Sequence, residues 1–296
     1  MSRDSASRGA ARRGPRRAVR SRCVLLGALL ACACGGSPPA GHPAPAAPRA
    51  AEPSAGCRPG TSPAAAGERR QLAGRTVLLD APAAASDRPA PLVLALHGFR
   101  SSPEDMRDGT GLADLARRNG VVVAYPQGHD GVELLGTSGV GWDMRPTETT
   151  DRDFVRDLLD ELERERCIDR RRVYVTGMSN GGFMASLLGC QLADRLAAVA
   201  PVAGALDLGT CAPARPVPIL LLYGTADTVV PPDLIRGGVA WWTRQNGCGA
   251  SAPGEGCTRW SGCAADVVAC EGPQTHRWPP DATGRIWQFF STHVRP

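Results

Sequence analysis

The sequence predicts an α/β fold, a mostly parallel central sheet with helices on both faces, and three features lead to it. The runs Pro91-Leu92-Val93-Leu94-Ala95-Leu96 and Ile219-Leu220-Leu221-Leu222-Tyr223 are continuously apolar, as strands buried on both faces tend to be. Segments of helical spacing alternate with such runs, the pattern of successive strand–helix–strand units. Between them Arg172-Val173-Tyr174-Val175-Thr176 passes through Gly177-Met178-Ser179-Asn180-Gly181 into the helix-forming Phe183-Met184-Ala185-Ser186-Leu187-Leu188. A strand, a sharp turn and a helix around Gly-x-Ser-x-Gly is the setting in which that motif forms a nucleophile elbow.

The remaining elements follow in order. Residues 75–79 read as an early strand, 91–96 as the next, 112–118 as a helix and 121–125 as a strand. Phe154, Leu158, Leu159 and Leu162 recur at helical spacing behind Asp151 and Asp153, whose carboxylates suit a helix N-terminus. After the elbow come strands at 197–202 and 219–223, a helix at 234–245, a strand at 267–268 and a last helix at 285–293.

The chain has 296 residues, with 34 arginines, no lysine and 29 acidic side chains, besides 5 histidines. Eight of the arginines precede residue 33, against the single acid Asp4, which leaves 26 basic and 28 acidic groups in the rest. The positive charge therefore belongs to the leader, and a nucleic-acid footprint is not supported. Residues 1–34 read as an export signal. An arginine-rich stretch precedes Val24-Leu25-Leu26-Gly27-Ala28-Leu29-Leu30-Ala31, too short to span a bilayer but suited to a signal core. Leu29-Leu30-Ala31-Cys32 resembles a bacterial lipoprotein cleavage box, which makes Cys32 or Cys34 the candidate lipid-anchored residue. The expected location is secreted, or held on the outer face of the bacterial envelope. Residues 35–56 follow as an Ala/Pro/Gly-rich disordered tether, and 57–296 as the catalytic domain.

Eight cysteines remain beyond the leader: Cys57, Cys167, Cys190, Cys211, Cys248, Cys257, Cys263 and Cys270. An even number in an exported chain reads as disulfides, and no Cys-x-x-Cys or histidine spacing argues for a metal. Their connectivity is open, with the last four expected to staple one local region.

A serine hydroxyl becomes a nucleophile when a base takes its proton, and the base needs an orienting acid. Of the five histidines, His42 lies in the tether, His129 in a glycine-rich loop and His293 in the terminal helix. His97 directly follows a buried strand, where a backbone-facing role is expected. His276, on a loop after the last strand, is the candidate base. Asp227 is the candidate acid, just past the carboxyl end of the strand at 219–223, the edge where sites in open α/β sheets gather. Asp207 and Asp233 compete, the second as the expected N-cap of the following helix. The order Ser179, Asp227, His276 is that of the α/β-hydrolase fold. Backbone N–H groups of Asn180 and Phe99 are the expected donors to an oxyanion.

The motifs Leu96-His97-Gly98, Tyr125-Pro126-Gln127-Gly128, residues 169–182, Ala198-Val199-Ala200-Pro201-Val202-Ala203-Gly204, Gly224-Thr225-Ala226-Asp227, Cys263 and His276-Arg277-Trp278-Pro279 occur in that order. Together they resemble the secreted family of feruloyl esterases and polyhydroxybutyrate depolymerases, over residues 57–296. The resemblance implies an α/β-hydrolase fold and the triad Ser179, Asp227 and His276. Where relatives have a glycine-rich approach to the histidine, this chain has Gly272-Pro273-Gln274-Thr275. Ser54-Ala55-Gly56-Cys57 resembles the start of the mature feruloyl esterase domain.

Trp278, two residues from the candidate base, is expected to line the acyl pocket, with Trp142 a second cleft residue and Trp241 or Trp242 core. The resulting expectation is an exported serine ester hydrolase that uses no metal or cofactor. Its partner is an ester substrate, polysaccharide-linked or polyester. Hydroxycinnamoyl esters of plant cell-wall xylan come first and polyhydroxybutyrate second. An acetyl xylan esterase, a peptidase of the same fold and a non-catalytic lipoprotein are more distant readings.

Overall fold

The computed structural model describes residues 50–58, 65–82, 88–134, 136–145 and 147–296. The expected export leader, Cys32, Cys34, His42 and residues 35–49 of the expected tether lie outside them. The described residues all fall in one compact unit.

The chain enters its sheet by an antiparallel hairpin, β1 (Glu68–Leu72) and β2 (Arg75–Asp80). Then come β3 (Ala90–Leu96), helices α1 (Pro103–Thr110) and α2 (Leu112–Asn119), and β4 (Val122–Pro126). A separate two-stranded hairpin, β5 (His129–Leu134) and β6 (Thr137–Gly141), precedes α3 (Thr150–Glu165). The second half holds β7 (Ile168–Met178), α4 (Asn180–Gln191), β8 (Ala198–Val202), β9 (Ile219–Gly224) and α5 (Pro232–Gln245). It ends with β10 (Ser251–Gly254), β11 (Cys257–Trp260), β12 (Val267–Gly272) and α6 (Ala282–Ser291).

The ten-stranded sheet has the order β1-β2-β4-β3-β7-β8-β9-β12-β11-β10. Its six central strands, from β4 to β12, are parallel, and antiparallel hairpins extend it at both ends. Every residue of β3 and β9 is buried, which explains why these strands read as unbroken apolar runs. Side-chain alternation sorts β7 between the two helical layers. Val173 and Val175 belong to the core on the α3–α4–α5 side, with Phe154, Leu158 and Trp241, and Tyr174 belongs to the core on the α2–α6 side, where its ring stacks on Phe290. Helix α4 is buried on nearly every side, so it carries no amphipathic stripe.

The folded chain begins before Cys57. Pro53 bridges to Asp169, and Ser54 Oγ donates to Arg166 O at 2.7 Å and accepts from Ile168 N–H at 2.9 Å. Cys57 is bonded to Cys167 beside them. Residues 50–56 of the expected tether thus lie against the domain, because one buried serine and two bridges outweigh a composition that favours open chain. Asp233 is not an N-cap. Helix α5 starts after Pro231 without a side-chain cap, and Asp233 instead pairs with Arg236 one turn on.

The other disulfides are Cys190–Cys211, Cys248–Cys263 and Cys257–Cys270. The last four cysteines do pair among themselves. Cys257 and Cys270 are direct register partners on β11 and β12, and Cys248–Cys263 ties the chain on either side of the β10–β11 hairpin. Four such bonds fit a protein made in an oxidising compartment outside the cytoplasm.

Candidate active site

The parallel strands end level with one another. Met178 pairs with Val202, Val202 with Leu222, and Leu222 with Cys270. Each candidate residue follows one of these ends, so the sheet alone gathers them along a single edge.

Ser179 sits between β7 and α4 with φ 56° and ψ −120°. A non-glycine residue there costs on the order of 1–3 kcal/mol and persists only where its surroundings fix it. They do: its N–H donates to Val202 O at 2.9 Å, and its carbonyl accepts from Phe183 N–H at 2.9 Å. The flanking glycines are required by contact. A Cβ on Gly177 would stand 2.4 Å from Gly181 O, and one on Gly181 2.2 Å from Leu96 O. Strand, helix and the neighbouring β3 therefore touch backbone to backbone beneath the serine.

Asp227 is buried three residues beyond β9, and its Oδ2 lies 2.7 Å from His276 Nδ1. Its Oδ1 accepts the N–H groups of Val229 and Val230, each at 2.9 Å. The loops bearing Asp227 and His276 are zipped together. Thr225 N–H donates to Gly272 O at 2.7 Å and Ala226 N–H to Gln274 O at 3.2 Å. The Gly-Pro-Gln-Thr approach to His276 thus presents its carbonyls to the loop that bears Asp227. Among the described residues, neither Ser179 Oγ nor His276 Nε2 makes a hydrogen bond; contacts of this kind tighten when substrate is held.

The loop after β3 faces the elbow. His97 is buried with Nδ1 2.7 Å from Gly98 O, while Nε2 accepts from Gly128 N–H at 2.9 Å. Burial lowers its pKa below the ordinary 6.5, and the backbone bond to Gly98 offsets part of that. A neutral ring with its proton on Nδ1 satisfies both contacts, in the backbone-facing role expected for it. Arg100, at φ 57°, donates its N–H to Val140 O at 2.8 Å, and its guanidinium reaches Ser138 O. Hairpin β5–β6 therefore holds this loop in place. Phe99 lies half-buried between these two anchors. The N–H groups of Phe99 and Asn180 have no partner among the described residues.

Trp142 is not a cleft residue. It is 0% exposed, and its indole N–H donates to His97 O at 2.9 Å. Its backbone N–H and C=O pair with the side chain of Asn180 at 2.7 and 2.9 Å. It locks the loop after β3 onto the elbow from behind. Trp278 is half-buried and donates to Thr283 Oγ1 at 3.0 Å, and Thr283 in turn bonds Thr110 O. Trp241 and Trp242 are core.

The rejected candidates are engaged elsewhere. Asp207 is exposed and holds Arg244 and the Gly209 N–H. His129 and Arg75 both meet the buried Asp151, and His293 meets Asp266. The two N–H bonds to Asp227 and the Asn180–Trp142 clamp carry no sequence signal, since both depend on loop backbone paths.

The fold and the position of the serine elbow define an α/β-hydrolase. An acetyl xylan esterase from Aspergillus awamori shares the fold at a TM-score of 0.57 and 14% identity, over 76% of this chain and 98% of that one. A family model described as esterase PHB depolymerase matches residues 75–214. Feruloyl esterase D of Neurospora crassa is 30% identical over 234 residues, 69% of this chain and 77% of that protein. Feruloyl esterase B of Piromyces equi is 33% identical over 210 residues, 61% of this chain and 38% of that protein. The chain belongs to the esterase PHB depolymerase family. It spans about a quarter to two fifths of the length of several curated relatives that it matches.

Proposed function

We propose that the chain is an exported carboxylic ester hydrolase that works through Ser179, His276 and Asp227 and prefers hydroxycinnamoyl esters. Ser179 Oγ attacks the ester carbonyl while His276 Nε2 takes its proton. The alcohol leaves with that proton, and the acyl group stays on Ser179. Water, deprotonated by the same nitrogen, then releases the acid. Asp227 holds Nδ1–H and stabilises the imidazolium formed in each step. The N–H groups of Asn180 and Phe99 receive the oxyanion, each worth about 3–4 kcal/mol. The observation that carries this reading is the 2.7 Å Asp227–His276 bond on the sheet edge that also bears the strained Ser179.

For the acyl group, the feruloyl esterases among its relatives support a phenolic acid, and Trp278 is the side chain assigned to its ring. A polyester depolymerase needs an apolar face for its solid substrate. Among the described residues only Val229, 56% exposed, and Leu234, 43% exposed, are large exposed hydrophobics, which favours the hydroxycinnamoyl-ester reading. The test is kcat/KM for methyl ferulate against 3-hydroxybutyrate oligomers. A ferulate preference of about tenfold or more, ~1.4 kcal/mol in the transition state, is expected, and the reverse preference installs the polyester reading.

Residues 1–34 are assigned as the export leader, with Cys32 or Cys34 anchoring the protein on the outer face of the envelope. Fatty-acid labelling that disappears in Cys32→Ser or Cys34→Ser checks the anchor; labelling of neither form indicates free secretion.

A further inference from the structure

The parallel strands begin along the edge of the sheet opposite Ser179, and arginines gather there. The entry to β3, the end of α2 and the residue before the paired part of β7 enclose a hollow of about 440 Å³. Arg88, Arg117, Arg118 and Arg172 line it, and no carboxylate does. Arg117 and Arg118 share Asp114, outside the lining, at 2.6 and 3.9 Å, and Arg172 is held by Asp169 at 2.6 Å. Arg88 is exposed and makes no hydrogen bond or ion pair among the described residues. Four positive charges thus face two negative ones. The carbonyl end of α2 accounts for arginines in its own last turn, at 117 and 118. Arg88 and Arg172 come from other elements and converge on the same hollow. Beside it the side chains of Arg171 and Arg215 donate only to backbone carbonyls among the described residues, so their charge is not cancelled either.

The chain also joins the domain at this edge. Ala50 O accepts from the Arg171 guanidinium at 3.5 Å, Glu52 N–H donates to Asp169 at 3.0 Å, and Arg170 N–H donates to Glu52 O at 2.9 Å. The Glu52 carboxylate is itself paired with Arg170 and Arg295. Val173 to Met178 of β7 separate this edge from Ser179 by about 20 Å of strand. Residue 50 is therefore on the side away from the nucleophile.

The lining selects its partner by charge. Guanidinium groups recognise phosphate oxygens by paired N–H bonds, whereas an apolar partner would strip water from the cations. The side chains of Arg117 and Arg118 are 69% and 67% exposed, so the hollow opens onto a face and does not enclose a small ligand. We propose that this arginine edge docks on an anionic lipid surface through its phosphate groups, with Ser179 turned away from that surface. The folded domain carries the contact, so it needs neither a lipid on Cys32 or Cys34 nor a particular ester. Attraction accumulates with each arginine and fades over a Debye length, so salt weakens it.

The experiment is arginine footprinting of the full-length protein with phenylglyoxal, read peptide by peptide in a mass spectrometer. At low salt, vesicles of phosphatidylglycerol and phosphatidylcholine in equal parts should slow modification of Arg88 and Arg118 about fivefold or more. Vesicles of phosphatidylcholine alone should change those rates less than about twofold. Arg277, exposed beside His276 on the other edge, should keep its rate within about twofold in both. In Arg88→Gln/Arg118→Gln, two substitutions outside the catalytic machinery, Arg117 should lose its protection while the melting temperature stays within a few degrees of wild type. Reading each arginine by itself keeps the arginine-rich leader out of the result. Unprotected Arg88 and Arg118, equal protection of Arg277, or protection of Arg117 that survives in the variant would overturn the proposal. Equal protection by inorganic phosphate at the same phosphate concentration would also overturn it, because a small-anion site would then replace the docking surface.

Discussion

Asp227 holds His276 by one oxygen, at 2.7 Å to Nδ1, and spends the other on the N–H groups of Val229 and Val230. The carboxylate cannot rotate without losing those two bonds, so its direction, and with it the tautomer of His276, is fixed by backbone. Asp227→Asn should keep the fold and lower kcat by about 10³–10⁴, with KM little changed, because an amide favours the wrong tautomer. Asp207→Asn, on the neighbouring loop, should leave kcat within about twofold. Steady-state kinetics on methyl ferulate separate the two, and a larger loss from Asp207→Asn would reassign the acid.

The Asn180 side chain closes both backbone groups of the buried Trp142. Asn180→Ala should strand an N–H and a carbonyl inside the protein, at about 1–3 kcal/mol for each group left without a partner. The lost clamp also frees the loop after β3, so kcat should fall more than KM rises. Thermal melting and steady-state kinetics check this pair of outcomes; an unchanged melting temperature would show that the clamp contributes nothing.

His97 ties stability to pH. Its folded-state pKa is lowered by burial from the ordinary 6.5, so below that value the unfolded chain binds more protons than the folded one. The stability it contributes is complete above about pH 6.5 and is lost as pH falls through the depressed value. The melting temperature should therefore decline from about pH 6.5 downward, and the decline should be shallower in His97→Asn. Parallel slopes in the two proteins would place the acid sensitivity elsewhere.

The disulfide Cys57–Cys167 spans 110 residues and Cys248–Cys263 spans 15. Loop closure in the unfolded chain favours the longer bridge, about 4.7 against 3 kcal/mol in the chain-entropy model. Cys57→Ser/Cys167→Ser should accordingly cost about 2–5 kcal/mol in denaturant unfolding, more than Cys248→Ser/Cys263→Ser. The reverse ranking would contradict the role given to the N-terminal bridge.

Much of this architecture is legible in the sequence because it follows from strong local patterns. The buried runs at 91–96 and 219–223 have one reading, and the elbow glycines are dictated by contacts of 2.2–2.4 Å that no side chain survives. Asp227 and His276 were reachable because strand ends converge on one edge. What could not be read depends on partners distant in sequence. Trp142 carries the composition of a cleft residue, yet 45 residues separate it from the His97 carbonyl that its indole meets. Residues 50–56 look like open tether, and the Arg166 and Ile168 groups that hold the Ser54 side chain lie more than a hundred residues along the chain. The β5–β6 hairpin is rich in glycine and exposed polar groups, so its period is too weak to announce the strands that pin Arg100.

The central claim is that Ser179 is the nucleophile, and the most direct measurement is the turnover of methyl ferulate by Ser179→Ala. With the strained elbow preserved and only one oxygen removed, kcat should drop by about 10³-fold or more, while the melting temperature stays within a few degrees of wild type. A correctly folded Ser179→Ala protein that keeps more than about a tenth of wild-type turnover would contradict the account.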